Sequence, residues 1–340
     1  MIFPKCQIGT KPQISYEGHM YPCCWFDYYK ILPSKQGMIE NPFRKEEFHI
    51  DNFTVKQILN SKSWHDTLDN LVDTEFVKCK KRCSKFLVER GKAKTNNSVI
   101  PKVSSREKVD EEFFNVLSTD KSIFDNSKVE YSSLNSIGLE LTSRCTLQCP
   151  YCSRTKEKGK GLYYKGDIKL KSIERSLSGH VWNRIEDCNR YGDSIFYPAY
   201  HEFIDLLITT NVRKYELGTA ATGKGLKWWD TVIQKLTKLN KCQITFGIDG
   251  IDQTSSIHRI GQDFNEIWNA MLMSKEAGLD VIWQFIPFRQ NEHQIDKAEK
   301  IAKDLGIKFK LVLSNRFESK LDPMIPKNPN LYINEKDNSS

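Results

Sequence analysis

SIGLELTSRCTLQCPYC, residues 136 to 152, joins a strand-like run to a cluster of cysteines. The first part, SIGLELT, has the apolar character and the length of a strand. The second part places Cys145, Cys149 and Cys152 in one short loop with the spacing CxxxCxxC. A closed zinc site and most iron-sulfur clusters take four protein ligands. Three cysteines in one loop therefore indicate either a distant fourth ligand or a coordination position that is left open.

From residue 136 onward, runs of strand length alternate with segments of helical period. The helical segments are YHEFIDLLI, LKWWDTVIQKLTKL, FNEIWNAMLMSKEAG and HQIDKAEKIAKDLG, and the last two close with glycine, a common stop signal. This alternation predicts an α/β fold with a parallel sheet and outer helices, either an open doubly wound sheet or a barrel. Six units are fewer than the eight of a full barrel, so we expect a partial (β/α)6 barrel. The predicted strands span 136–142, 181–188, 212–219, 242–249, 280–288 and 307–314.

The cysteine loop begins where the first predicted strand ends. Parallel α/β folds place their reactive groups at the carboxyl ends of the strands, so this position favours a catalytic role for the loop. A zinc site completed by a distant histidine or cysteine is the alternative.

LELTSRCTLQCPYC resembles the cluster-binding loop of the radical S-adenosylmethionine (SAM) enzymes, including the aromatic Tyr151 before the last cysteine. The resemblance implies that Cys145, Cys149 and Cys152 hold three irons of a 4Fe-4S cluster and that SAM chelates the fourth. It also implies reductive cleavage of SAM to methionine and a 5'-deoxyadenosyl radical, which abstracts hydrogen from a substrate. The protein would supply binding, orientation and exclusion of solvent.

Two later strand ends resemble cofactor-binding segments of the same family. In NRYGDSIFYP, Gly192 and Asp193 stand where the family has a glycine-glycine-glutamate segment for the amino group of SAM. In GTAATGKG, the family's asparagine is absent, so the resemblance assigns a polar contact with SAM to Thr219 or Thr222.

FGIDGIDQTSSIHRIG resembles the fourth-strand segment of the family. The resemblance places Asp249 near the SAM ribose and makes Arg259 available for the SAM carboxylate. WQFIPFRQNEHQIDKAEKIAKDLG (283–306) resembles the fifth strand and helix of members that carry an auxiliary-cluster domain. The resemblance covers about residues 136–315.

The N-terminal cysteines resemble those of the SPASM and twitch domains, which hold additional iron-sulfur clusters. Cys6, Cys23, Cys79 and Cys83 would supply four thiolates for one auxiliary 4Fe-4S cluster, with ISYEGHMYPCC as a hairpin that turns at Gly18. The family usually carries this domain after the barrel, whereas here it comes first. Cys24 could replace Cys23, and zinc is an alternative because four thiolates suit either metal.

These observations divide the chain into four parts. We predict an α+β auxiliary-cluster domain at 1–91, a polar linker at 92–133, the radical SAM partial barrel at 134–318 and a C-terminal tail at 319–340.

The remaining candidate side chains have structural interpretations. Isolated thiols in strands are usually buried, isolated histidines show no metal-ligand spacing, and adjacent tryptophans in a helical pattern indicate helix packing. The isolated thiols are Cys188 and Cys242, and the adjacent tryptophans are Trp228 and Trp229. The isolated histidines are His180, His201, His258 and His293.

Composition and the resemblance together give the expected compartment and partners. The chain has 340 residues, ten cysteines and a net charge of +8. Its sequence shows neither an apolar run long enough for a membrane span nor a signal-peptide pattern, so we expect a cytoplasmic protein without a membrane partner. In the reducing cytoplasm we expect its cysteines to form no disulfides. The resemblance to SPASM and twitch enzymes makes a peptide or protein substrate our first hypothesis, and it implies a flavodoxin or ferredoxin as electron donor. Basic runs at 78–92 and 154–171 make a nucleotide, nucleoside or RNA substrate the second. A non-catalytic metal-binding scaffold is the third.

Overall fold

The computed structural model describes residues 11–23, 26, 30–31, 39–73, 134–159, 165–210, 212–317 and 321–333. The chain divides into two compact units. The smaller contains Met1–Pro12 and Met20–Leu134, and the larger contains Gln13–His19 and Asn135–Ser340.

The described residues form short N-terminal strands and, from residue 136, strands that alternate with helices. In chain order the strands are β1 (Gln13–Ile14), β2 (Met20–Tyr21), β3 (Lys30–Ile31), β4 (Ile39–Glu40), β5 (Ser136–Leu139), β6 (Arg184–Asp187), β7 (Tyr215–Thr219), β8 (Cys242–Gly247), β9 (Asp280–Phe285) and β10 (Lys308–Leu311). The helices are α1 (Val55–Leu59), α2 (Lys62–Asp73), α3 (Ser153–Gly159), α4 (Leu170–Leu177), α5 (Tyr200–Thr209), α6 (Leu226–Leu236), α7 (Ser255–His258), α8 (Phe264–Glu276) and α9 (Ile295–Asp304).

The sheet of the larger unit is parallel and follows the order of the chain. Strands β5 to β10 are neighbours in sequence order, and β1 pairs in parallel with the outer edge of β5. A doubly wound sheet would reverse its strand order at a switch point, whereas a barrel-type sheet would not. Among the described residues β10 and β1 do not pair with each other, so the sheet is open. The prediction of an α/β fold with a partial barrel of six β/α units is confirmed, and β1 is an additional strand.

One face of this sheet is apolar and covered by helices. Alternate residues of β7 and β8 are buried, as a strand with one covered face requires. The ring of Phe203 in α5 lies 5.9 Å from that of Tyr215, and Trp229 in α6 lies 5.9 Å from Phe246. The predicted packing role of Trp229 is confirmed, since its side chain is fully buried.

The opposite face of the sheet is polar and half-buried. Pairing between strands places Glu186 beside Glu216, Glu216 beside Gln243, and Gln243 beside Asp280. Lys214 Nζ lies 2.6 Å from Glu216 Oε1, which neutralises one of these carboxylates. Solvent therefore reaches the face that a closed barrel would enclose.

The predicted helix stops are confirmed at two positions. Gly278 follows α8 with a φ of 81°, and Gly306 follows α9 with a φ of 62°. This left-handed conformation favours glycine because it carries no Cβ. Asp263 begins α8 as an N-cap that accepts from the backbone N–H groups of Asn265 and Glu266.

The turn predicted at Gly18 is confirmed within the larger unit. Gly18 N donates to Ser15 O at 2.9 Å, Ser15 N donates to His19 O at 2.9 Å, and Gly18 has a φ of 90°.

The smaller unit has its own aromatic core and a capped helix. The ring of Trp64 lies 5.1 Å from Phe43 and 5.3 Å from Phe48. Thr54 and Gln57 form a reciprocal capping box at the start of α1. The predicted domain boundaries at 91 and 133 lie outside the described residues and stay a prediction. In the part of the chain that the structure describes, no helix is long and apolar enough to cross a membrane.

Candidate functional site

The cysteine loop leaves the carboxyl end of β5 and is held by the segment around Asp167. Ser143 N donates to Gly166 O at 3.0 Å, and Arg144 donates from Nε and Nη2 to the carboxylate of Asp167, at 2.9 and 2.6 Å. A bidentate pair of this kind fixes direction as well as distance. The backbone is therefore anchored immediately before Cys145.

The three predicted ligands are half-buried side chains of this one loop. Cys152 N donates to Cys149 O at 3.1 Å, which closes a turn between the second and third cysteines, and α3 begins at Ser153. The thiols therefore lie at the carboxyl edge of the sheet, as predicted.

Gly192 permits a close crossing between the cysteine loop and the loop after β6. A Cβ at this position would overlap the carbonyl oxygen of Thr142 and lie 2.9 Å from that of Arg144. Asp193 N donates to Arg144 O at 2.9 Å, which joins the two loops. The glycine expected from the family segment thus has a local physical reason, which is backbone contact.

The surroundings of Cys145 and Cys149 disfavour their thiolate forms. Burial raises the pKa of Cys145 to about 12, and the nearby charge of Asp193 acts in the same direction. Burial also raises the pKa of Cys149, although the guanidinium of Arg259 opposes this effect. Metals bind thiolates, so a metal centre on this loop would release protons as it forms.

Asp193 connects the ends of β6 and β7. Its Oδ2 accepts from Thr219 Oγ1 at 3.0 Å and from Ala220 N at 2.8 Å, and the side chain is 5% exposed. Thr219 Oγ1 in turn accepts from Ala221 N at 2.8 Å. The side chains of Asp193 and Thr219, which were predicted to contact SAM, therefore both form hydrogen bonds within the protein.

Asp249 is the centre of a buried ionic group after β8. It lies 2.8 Å from Arg259 Nε and 3.1 Å from His258 Nδ1, and its Oδ1 accepts from Ile286 N at 2.9 Å. Burial alone would raise the pKa of Asp249, but Arg259 and His258 outweigh it and hold the pKa below its ordinary value. The carboxylate that the resemblance placed near the ribose is occupied by protein donors, and it positions Arg259 beside Cys149.

Thr222 belongs to the framework that joins β7 to α8. Its hydroxyl accepts from Asp263 N at 2.8 Å and donates to Asp263 O at 3.2 Å. Nearby, the carboxylate of Glu266 accepts from the backbone N–H groups of Gly223, Lys224 and Gly225, at 2.6 to 2.9 Å. The loop at the start of α6 is fixed by these contacts.

Tyr151 lies in an aromatic cluster between the cysteine loop and the loops after β8 and β9. Its ring stacks 5.9 Å from His258 and 6.0 Å from Phe288, and Phe317 meets it edge-on at 5.4 Å. Burial lowers the pKa of His258, although its hydrogen bond to Asp249 opposes this. A neutral imidazole that donates from Nδ1 leaves Nε2 as an acceptor, which has no partner among the described residues.

The end of the predicted barrel (134–318) and the segment predicted as a C-terminal tail (319–340) each contribute one residue to this site. Arg316 Nη1 donates to Tyr151 O at 3.1 Å, and the Tyr151 hydroxyl donates to the carboxylate of Asp322. Sequence reasoning missed Arg316 and Asp322, which lie 165 and 171 residues from Tyr151. It also gave His258 only a general structural role, although its position beside Arg259 was a usable signal.

The auxiliary ligands are not brought together in the described part of the chain. Cys6, Cys24, Cys79 and Cys83 lie outside the described residues, while Cys23 is described and half-buried. Their shared site stays a prediction.

The isolated thiols of Cys188 and Cys242 differ in burial. Cys242 is 4% exposed, as predicted. Cys188 was predicted to be buried, which is wrong, because it is half-buried just after β6, where its Sγ donates to Gln13 Oε1 at 2.7 Å.

The donor set of the loop fits an iron-sulfur cluster with one open iron. No three Cys, His, Asp or Glu side chains of the described residues are grouped as a single metal ion would require. A four-iron cluster binds each thiolate to a different iron, so its ligands need not converge on one point.

A surface cavity of about 350 Å³ opens beside the first cysteine. Its walls are formed by Arg144, Cys145, Thr146, Lys165 and Phe196. The cysteine loop is therefore reachable from solvent on this side.

Comparisons with known proteins find structural neighbours only. No family model and no curated protein matches the sequence. The structure of native anSMEcpe with bound AdoMet is 16% identical, with a TM-score of 0.43, and the match covers 56% of this chain and 55% of that one. These neighbours are radical SAM enzymes.

Two further neighbours differ in what they bind. Streptococcus suis SuiB bound to the precursor peptide SuiA is 11% identical, with a TM-score of 0.47 and coverage of 88% of this chain and 62% of that one. Spore photoproduct lyase complexed with dinucleoside spore photoproduct is 14% identical, with a TM-score of 0.39 and coverage of 53% and 62%. This chain thus spans between half and two thirds of the length of these neighbours.

Proposed function

We propose that this chain is a radical SAM enzyme whose cluster is held by Cys145, Cys149 and Cys152. The observation that carries the proposal is the set of three half-buried thiols on one loop at the carboxyl edge of a parallel, sequentially ordered sheet. When bound, a 4Fe-4S cluster with one open iron supplies an electron to SAM and breaks a carbon-sulfur bond to give a 5'-deoxyadenosyl radical. The protein's part is binding and orientation.

Arg259 is the residue that we assign to the SAM carboxylate. The carboxylate of Asp249 contacts Nε and Nη2 of Arg259. Nη1 of Arg259 has no hydrogen bond to any described residue. A guanidinium with a fixed direction is suited to a carboxylate partner. Asp249 is then a positioning residue, because its own oxygens are occupied.

Tyr151 and His258 are the residues that we assign to the adenine ring. Their stacked rings offer an apolar surface, and His258 Nε2 offers an acceptor. Gly192 contributes through its backbone, while Asp193, Thr219 and Thr222 hold the strand-end loops in place, at the positions where the resemblance put direct contacts with SAM.

We further propose a peptide or protein substrate and an auxiliary 4Fe-4S cluster at Cys6, Cys23, Cys79 and Cys83. Both rest on the resemblance of the N-terminal segment to SPASM and twitch domains. A nucleotide or RNA substrate is the competing hypothesis. RNA binding driven by the positive charge should weaken steeply as salt rises, so the absence of RNA or nucleotide binding at low salt would dispose of it.

The test is anaerobic reconstitution with iron and sulfide, followed by iron counting and an assay for 5'-deoxyadenosine after reduction. We expect about eight irons per chain if two four-iron clusters form. Replacing Cys145, Cys149 and Cys152 with alanine should abolish 5'-deoxyadenosine formation and lower the iron content by about half. Full iron loading without SAM cleavage would instead support the metal-binding scaffold.

The matched control is Cys242→Ala, which removes a thiol from the helix-covered face of β8. It should keep both iron and cleavage. Replacing Cys79 and Cys83 should lower iron by about half and keep some cleavage, because the two sites are separate in the proposal. If the Cys79 and Cys83 replacements abolished SAM cleavage as completely as the replacements in the 145–152 loop, the proposal of two separate cluster sites would be contradicted.

A further inference from the structure

The guanidinium of Arg154 lies against the cysteine loop and is held by the loop itself. Arg154 follows Cys152 by two residues, in the first turn of α3, and its Nη2 donates to the carbonyl oxygen of Leu147. Leu147 lies between Cys145 and Cys149 in the chain. The half-buried side chain of Arg154 therefore reaches back from the end of the loop to its middle.

Arg154 carries a buried donor and a charge that the described residues leave unmatched. Its Nε is buried and meets no acceptor in the described part of the chain. No described carboxylate pairs with its charge, whereas Asp249 lies 2.8 Å from Arg259, the guanidinium beside Cys149. A buried donor without an acceptor costs free energy, so this N–H is suited to a bound group with acceptor atoms, such as sulfide or thiolate.

The positive charge of Arg154 acts on two of the three thiols. Burial raises the pKa of Cys145 and of Cys149, and the charge of Asp193 adds to this effect at Cys145. Arg154 opposes the rise at both thiols. A charge that favours the thiolate form stabilises added negative charge at the same place.

We propose that Arg154 raises the reduction potential of the cluster held by Cys145, Cys149 and Cys152. The inference rests on the proposed function, which supplies the cluster. Reduction adds one negative charge to the cluster, and the potential of such a cluster depends on nearby charge and on hydrogen bonds to its sulfurs. A fixed cation that is half-buried beside the thiolates stabilises the reduced form more than the oxidised form, with less screening than at an exposed site.

The redox step is a one-electron reduction. A reduced viologen, used as the external reductant, loses one electron, and the cluster gains it. No bond forms or breaks, and the guanidinium keeps its proton throughout.

The test is a potentiometric titration of the reconstituted full chain without SAM, followed by electron paramagnetic resonance. The signal to follow is the one that is missing when Cys145, Cys149 and Cys152 are replaced by alanine. Arg154→Gln removes the charge and keeps a hydrogen-bond donor. It should lower the equilibrium constant for reduction about tenfold, which corresponds to a midpoint potential about 59 mV lower.

Three further variants separate charge from structure. Arg154→Lys keeps the charge and should stay within about threefold of the wild-type equilibrium constant. Arg154→Ala, a second neutral variant, should shift the potential in the same direction as Arg154→Gln. The matched control is Arg213→Gln, an exposed site just before β7, at the amino edge of the sheet. It should change the equilibrium constant by less than about twofold, because distant exposed charges are screened.

Iron content and melting temperature, measured for every variant, show whether the loop is intact. Both neutral variants could lose the cluster, or keep it at the wild-type potential, and either result would overturn the inference. Arg154→Lys could lower the potential as far as Arg154→Gln, which would exclude charge as the cause. Arg213→Gln could lower it equally, which would assign the effect to net charge. A wild type whose cluster titrates as proposed but which cleaves no SAM contradicts the proposed function alone, because the potential is measured without SAM.

Discussion

The carboxyl ends of β6 and β8 each present a buried aspartate, and the two carboxylates have opposite electrostatics. Burial raises the pKa of Asp187 to about 7, although the Tyr215 hydroxyl donates to it at 2.6 Å. Asp249 is equally buried, but Arg259 and His258 hold its pKa below the ordinary value. Desolvation penalises both charges, and only a cation in contact reverses the effect. The comparison shows that, of these two strand ends, only the end of β8, where Arg259 faces Asp249, supports a permanent charge pair.

The largest effect is expected when the charged pair after β8 is broken. Asp249→Asn leaves the guanidinium of Arg259, which is 13% exposed, without its counter-charge. We expect the free energy of unfolding in urea to fall by about 3–5 kcal/mol, the usual cost of an unpaired buried charge.

An exposed pair provides the control for Asp249→Asn. Asp205, 56% exposed, lies 2.6 Å from Lys235, so Asp205→Asn should cost less than about 1 kcal/mol. Equal costs for the two variants would contradict the distinction between a buried and an exposed pair.

The next effect concerns the pH dependence of stability at the end of β6. The groups that face Asp187 are the hydroxyls of Tyr215 and Tyr200 and the carboxylates of Asp193 and Glu186. With a folded pKa of about 7 and an unfolded pKa near 3.9, the folded state binds a proton that the unfolded state has released. The contribution of Asp187 to stability is therefore complete below about pH 4 and is lost as the pH rises through about 7, by up to ~1.4 kcal/mol per pH unit.

Asp187→Asn removes this titration. Urea unfolding of wild type and variant at pH 5 and pH 8 should show the variant gaining stability relative to wild type at the higher pH. Other titrating groups cancel in the difference between the two proteins. A difference that does not change with pH, or that changes in the opposite direction, would contradict a folded pKa near 7 for Asp187.

The smallest of the three effects tests the backbone crossing after β6. Gly192→Ala places a methyl group against the Thr142 carbonyl, which is backbone and cannot rotate away. We expect a loss of about 1–3 kcal/mol in unfolding free energy, together with weaker iron binding by the displaced cysteine loop. Gly218→Ala, whose Cβ would meet only the Asn189 amide at 3.6 Å, should cost less than about 1 kcal/mol. A Gly192→Ala variant as stable as Gly218→Ala would show that the loops do not cross as closely as described.

The parts of the fold that sequence predicts well are set by local pattern. Alternation of buried residues in β8, the period of α8 and the glycine after it all lie within one continuous stretch, 242–278. The place of the cysteine loop follows from the same pattern, because a parallel strand has a defined carboxyl end.

Contacts between distant segments could not be predicted in this way. Strand β1 has two residues, and its pairing with β5 joins Ile14 to Leu139. The direction of Asp249 depends on the turn that follows β8, so its strand end could be predicted but its pairing with Arg259 could not. Its place near the ribose stays a prediction. No pattern near Tyr151 indicates that its hydroxyl reaches Asp322.

The central claim is that Cys145, Cys149 and Cys152 hold a cluster with one iron open to SAM. Electron paramagnetic resonance of the reconstituted, reduced protein, recorded with and without SAM, tests it most directly. We predict that SAM changes the cluster spectrum in the wild type and in Cys242→Ala, and that this SAM-dependent change is absent when the three cysteines are replaced by alanine. A reduced cluster whose spectrum is the same with and without SAM would contradict the open coordination site.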